Sequence, residues 1–157
     1  MDFNTAFEIL LRFEGGISNN KADKGGLTKY GISHAAYPNL NIAELTEDMA
    51  RDIYERDYWN PAGCNKLKPE LQYIHFDTAV NCGVVTAIKL LQTVSGVKQD
   101  GIIGPETIQA ADKISIDDYA NARIGFYKSI VDKDKNQVIF LTGWINRINR
   151  ILVLPME

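Results

Sequence analysis

Two cysteines in 157 residues, Cys64 and Cys82, are too few for a disulfide framework, and no CxxC or Cys/His spacing accompanies them to suggest zinc. Buried free thiols are expected. Histidine is as scarce. His34 and His75 stand in no Ser or Cys arrangement that would build a nucleophilic triad. His75 reads as a core residue and His34 as a loop residue. No apolar run approaches the roughly 18 residues of a membrane-spanning helix. A charge excess is missing too: 17 basic against 20 acidic residues leave a net charge of -3. A duplex nucleic-acid binder usually shows a basic excess, and affinity for an anionic surface would have to come from a local cleft. The opening MDFNTAFEILLRFEGG has no basic leader and carries Glu8 and Arg12 inside its apolar stretch, unlike a Sec signal. Synthesis as a soluble cytoplasmic protein is therefore expected. There is no internal repeat and no low-complexity linker. The length suits one compact domain with room for a small appended subdomain.

What is present is mostly helical periodicity. Phe3, Ala6, Phe7, Leu10 and Leu11 make one apolar stripe, with Thr5, Glu8 and Arg12 opposite, and Gly15-Gly16 stops the helix. Residues 17 to 30 are loop-like. LTKYGIS (27–33) is expected as a short strand, whose alternation would put Thr28, Tyr30 and Ile32 on one face, or as a hairpin. Thr46 is a plausible N-cap for a helix running to Tyr58, with Glu47 and Asp48 at the positive end of the dipole. Residues 69 to 82 are apolar on nearly every side, the mark of a central buried helix. Further helices are expected at 84–94, from Pro105, at 116–131 behind a Ser115/Asp118 capping box, and at 138–153. Trp59 and Trp144, at helical spacing with other apolar residues, are read as core anchors. The class is mainly α, with six or seven helices.

Glu14 is the exception to its own helix. It falls on the buried stripe, four residues past Leu10 and seven past Phe7, where helix gives way to loop. Partial burial and the negative end of the helix dipole both favour its protonated form. A protonated carboxyl is what a general acid needs to hand a proton to a glycosidic oxygen. The bland alternative is a salt bridge to an arginine such as Arg123 or Arg147. Asp23 stands nine residues on, and a second carboxyl group is what glycosidases commonly place across the sugar bond, to stabilise charge, attack, or hold water. Thr28, five residues further, could help orient that water. A turn-forming role is the ordinary alternative for Asp23.

These residues sit in EGGISNNKADKGGLTKYGIS, which resembles the N-terminal signature of glycoside hydrolase family 108, N-acetylmuramidases found as phage endolysins and as bacterial proteins once labelled secretion activators. AELTEDMARDIYERDYWNPAG, HFDTAVNCG, LLQTVSGVKQDGIIGPETIQA and FLTGWINRINR resemble later segments of that family in the same order, so the likeness runs from about residue 3 to 150. Ile17 stands where the family has an aromatic, Lys24 where it has proline, and Cys82 where it has a small residue. The resemblance implies a lysozyme-like helical fold. It implies a catalytic region over 1–92 and a C-terminal helical region, 93–154, similar to a peptidoglycan-binding domain, packed as one globular unit.

The resemblance also implies hydrolysis of the β-1,4 bond between N-acetylmuramic acid and N-acetylglucosamine. Carried over by position, Glu14 is the catalytic acid, Asp23 and Thr28 are its partners, and Tyr30, Asn81 and Asp77 are sugar contacts. A purely structural polar network is the alternative for Asp77 and Asn81. No metal or organic cofactor is implied. The expected partners are peptidoglycan glycan strands and a holin for release, and a monomer is expected. A lytic transglycosylase and a non-catalytic wall-binding protein remain the rival readings.

Overall fold

The computed structural model describes residues 1–14, the backbone of 21–23, and residues 26–155. Among these the elements are α1 (Phe3–Phe13), β1 (Lys21–Asp23), β2 (Gly26–Lys29), β3 (Ile32–Ser33), α2 (Glu47–Tyr54), α3 (Pro69–Cys82), α4 (Val84–Ser95), α5 (Pro105–Ala111), α6 (Ile116–Lys133) and α7 (Val138–Leu152). No helix among the described residues is long and apolar enough to cross a membrane. The chain divides into two compact units, Asp2–Asp57 and Tyr58–Glu157, with Met1 grouped with the second.

In the first unit, Asp2 caps α1 by accepting from the Thr5 amide at 2.8 Å, and the stripe of Phe3, Ala6, Phe7, Leu10 and Leu11 is buried. Three short antiparallel strands follow in the order β1-β2-β3. One expectation is corrected here. Residues 21–23 pair with 26–28 rather than belonging to an unbroken loop. Residues 27–33 take the hairpin form of the expectation rather than the single strand, because Lys29 pairs with Ile32 and closes a two-residue turn at Tyr30-Gly31. Both turn residues have positive φ, 53° and 79°, as the mirror-image hairpin turn requires. The turn ends the alternation that would have aligned Thr28, Tyr30 and Ile32. Thr46 caps α2 as expected, accepting from the Met49 amide at 3.2 Å. The α-helical hydrogen bonding ends at Tyr54, and a wider π-type turn, Glu55–Trp59, takes over the rest of the expected helix.

In the second unit, α3 is buried along nearly its whole length, from Leu71 to Ala79, which is why its sequence shows no polar face. Trp59 is an anchor, 3% exposed and edge-on to Phe76 at 5.4 Å. The Ser115/Asp118 capping box forms in full. His75 lies inside the core, as expected, with both ring nitrogens bonded. The Ala62 carbonyl, 2.9 Å from Nε2, can only accept, so Nε2 carries the proton, and Nδ1 accepts the Tyr119 hydroxyl at 2.8 Å.

Burial pushes the His75 pKa down to about 4, from an ordinary 6.5. Between those values the unfolded chain binds a proton that the folded chain refuses. Stability that is fully present above pH 6.5 is therefore lost as pH falls through the window to 4, by about 3 kcal/mol. Urea denaturation at pH 7 and pH 4.5 should show this loss in the wild type, and His75→Gln should flatten it. An equal slope in both proteins would place the acid sensitivity elsewhere.

Candidate active site

Glu14 is the C-terminal cap of α1. Its amide still donates to the Leu10 carbonyl at 2.9 Å, and its side chain is half-buried. The apolar stripe that buries α1 is what aims it, since Phe7 and Leu10 below it are fully buried. The Tyr30-Gly31 turn lies against the same side chain. A Cβ on Gly31 would sit 3.1 Å from Glu14 Cγ, 3.4 Å from Cδ and 2.6 Å from the Tyr54 hydroxyl. Residue 31 therefore needs glycine twice, for its φ of 79° and for the space.

Tyr30 is a rarer occupant of positive φ, since a bulky side chain there is strained. The Tyr54 hydroxyl donates to its carbonyl at 2.9 Å, a buried bond that holds the turn down. Tyr54 is itself fixed by Phe7, ring centroids 5.8 Å apart, and Arg51 lies over the other aromatic neighbour surface, 4.7 Å from the Phe7 centroid. One closed set of contacts thus joins α1, the hairpin turn and α2 around the Glu14 side chain. Tyr54 falls inside the helix expected from Thr46 to Tyr58, and nothing local marks its bond to a carbonyl 24 positions earlier.

The other candidates are placed as follows. Thr28 is half-buried in the middle strand, paired with Lys21 on one side and Ser33 on the other. The Asp23 backbone pairs with Gly26 at the end of β1, and its side chain lies outside the described residues, as do Gly15, Gly16, Ile17 and Lys24. Tyr30 is 8% exposed and serves the turn. Asn81 is exposed, and its amide nitrogen donates to the Asp77 carbonyl at 2.8 Å, which supplies the partner its helix position demanded.

Asp77 is corrected. Its side chain is 0% exposed and bonded on both oxygens, so no sugar reaches it. Arg123 Nη1 lies 2.8 Å from Oδ2, and Arg147 donates from Nη2 at 2.7 Å and Nε at 3.0 Å to Oδ1. Burial disfavours the carboxylate, but the two guanidinium charges and their hydrogen bonds more than offset it and hold Asp77 below the usual carboxylate range. Arg123 in turn donates to the Tyr127 hydroxyl at 3.0 Å, and Tyr127 stacks on Trp144 at 4.7 Å. HFDTAVNCG and GWINR, 70 residues apart, are therefore two ends of one buried ion pair.

The DGIIG segment is likewise engaged internally. Fully buried Gln92 donates to Asp100 at 2.8 Å and to Thr107 at 3.1 Å, and accepts from the Gly101 amide at 3.0 Å.

A mainly helical chain whose first helix ends on a half-buried glutamate, backed by a small antiparallel sheet, is the arrangement of a lysozyme-like fold. The family model described as glycosyl hydrolase 108 matches residues 7–83, and one described as a predicted peptidoglycan domain matches residues 86–149. Among solved structures, that of Brucella abortus SagA is similar: it is 31% identical, with a TM-score of 0.78 and coverage of 95% of this chain and 90% of that one. No functionally curated protein matches in sequence. The chain belongs to glycoside hydrolase family 108, and its second family segment directs it to peptidoglycan.

Two mutational outcomes follow from the geometry. Gly31→Ala should cost about 1–3 kcal/mol. Because the tightest clash is with a hydroxyl oxygen, the cost should be smaller in a Tyr54→Phe background. A double-mutant cycle in urea measures that coupling, and strictly additive losses would contradict it. Asp77→Asn should cost about 3–5 kcal/mol, because it leaves buried guanidinium charge uncompensated. Unchanged stability with weakened murein binding would instead return Asp77 to the sugar-contact role.

Proposed function

We propose that the protein is an N-acetylmuramidase, cleaving the β-1,4 bond between N-acetylmuramic acid and N-acetylglucosamine in peptidoglycan. The observation that carries this reading is the Glu14 side chain, held at the end of α1 against the Gly31 backbone within the family 108 segment. The peptidoglycan segment at 86–149 supports the choice of polymer.

In this reading Glu14 gives its proton to the bridging oxygen as the bond to the anomeric carbon lengthens. Positive charge then gathers on that carbon and its ring oxygen. Water supplies the oxygen that joins the anomeric carbon, and its surplus proton passes to a carboxylate, so that the net change is addition of water across the broken bond. Asp23 and Thr28 are the candidates to hold that water or to stabilise the charge. A rigid acid matters because a general acid works only within hydrogen-bond reach of the oxygen it protonates, about 2.6–3.2 Å. The hairpin turn and the Tyr54 bond provide that rigidity without adding a charge beside it.

Digestion of purified murein followed by mass spectrometry tests the reading. Fragments ending in reducing N-acetylmuramic acid are expected. A 1,6-anhydro terminus would make the protein a lytic transglycosylase, a reducing N-acetylglucosamine end would make it a glucosaminidase, and binding without release would make it a wall-binding protein.

A further inference from the structure

A groove of about 560 Å³ opens on the Asp2–Asp57 unit, away from any residue assigned a role above. Its size is that of a small-ligand pocket. Met49, Asp52 and Ile53 line it from α2, and Tyr37 and Leu40 line it from the chain before that helix, with Arg56 at the same site. Much of the lining is aliphatic, and Met49 stays 41% exposed.

The polar groups are unevenly satisfied. Arg56 is spent on Asp57, with Nε 2.7 Å from Oδ1 and Nη2 2.8 Å from Oδ2. The Tyr37 hydroxyl donates to the same carboxylate at 2.8 Å, which fixes its ring in the wall. Arg56 and Tyr37 together hold Asp57 ionised, below the usual carboxylate range. Asp52, by contrast, makes no hydrogen bond or close ion pair among the described residues, and its one cationic neighbour in the groove is Arg56, whose donors are turned to Asp57. Its surroundings reinforce the sign: Glu44, Glu47, Asp48, Asp52, Glu55 and Asp57 face only Arg51 and Arg56 over residues 44–57.

A carboxylate with no hydrogen bond of its own, beside aliphatic walls, fits a primary ammonium carried on a methylene chain. Peptidoglycan has one abundant group of that kind. Its acetylated sugars are neutral and its peptide carboxylates are repelled by Asp52, but the lysine of an uncross-linked lysine-type stem peptide ends in a free amine on methylenes. The geometry points to this groove as a binding site for the amine-bearing residue of the stem peptide, with Asp52 as the counter-ion. The choice of ligand rests on the peptidoglycan reading above, and it adds a preference for strands whose peptides are not cross-linked.

The test does not depend on glycosidic cleavage. The probe is the N-acetylated tripeptide acetyl-L-Ala–γ-D-Glu–L-Lys, titrated into the full-length protein and followed by NMR of the Met49 and Ile53 methyl groups. Saturable shifts at these methyls are expected, weakened at least fivefold by acetylation of the lysine ε-amine and at least fivefold by Asp52→Asn, a surface change that should leave the melting temperature unaltered. Shifts that ignore acetylation, shifts that survive Asp52→Asn, or no shift at all would overturn the assignment. If the peptide binds as expected but murein is not hydrolysed, the groove stands and the muramidase reading falls. If murein is hydrolysed and the peptide does not bind, the reverse holds.

Discussion

The candidate site depends on a missing side chain. A Cβ at position 31 would stand 2.6 Å from the Tyr54 hydroxyl and 3.1 Å from Glu14 Cγ, so only glycine lets the hairpin backbone lie against both, and its positive φ lets the turn form at all. Everything nearby serves that approach. Strain at Tyr30 is contained by the Tyr54 hydroxyl, Tyr54 is set by Phe7, and Phe7 belongs to the stripe that buries α1 and points Glu14. The order of causation runs from apolar spacing in the first 13 residues, through a turn that only glycine can close, to one carboxyl group with restricted freedom. Fixing a reacting group in advance removes an entropic cost that the reaction would otherwise have to meet.

The second unit spends its polar residues differently. Asp77, Arg123 and Arg147 would each be costly alone, and together they form a network in which both Asp77 oxygens face guanidinium groups. Replacing such a network with apolar groups need not destabilise a protein, whereas removing one member does. Its value here is register: α3, α6 and α7 each contribute one member. Gln92 does the same work for the DGIIG turn, whose Gly101 has a φ of 74°. The HFDTAVNCG, GWINR and DGIIG segments thus each serve as joints of the fold.

How far the sequence could be read follows from these facts. Helix limits were legible wherever punctuation is local, as with Thr46, Pro69, Pro105 and the Ser115/Asp118 box. The α1 stripe also marked Glu14 as out of place among surface glutamates. The Tyr30-Gly31 turn was only half legible, because a tyrosine at positive φ carries no propensity signal. Asp77 was misread because a helix apolar on all sides hides which polar residue points where, and its partners lie 46 and 70 residues away. Tyr54 was missed for the same reason: its hydroxyl acts at long range while its ring reads as ordinary core.

The most direct test is Glu14→Gln, assayed on purified murein beside the wild type. The change keeps size and hydrogen-bonding capacity but removes the transferable proton. Hydrolysis should fall by about 10²–10⁴-fold, while circular dichroism and the melting temperature stay close to those of the wild type. Hydrolysis at the wild-type rate by a folded Glu14→Gln protein would contradict the assignment of the acid.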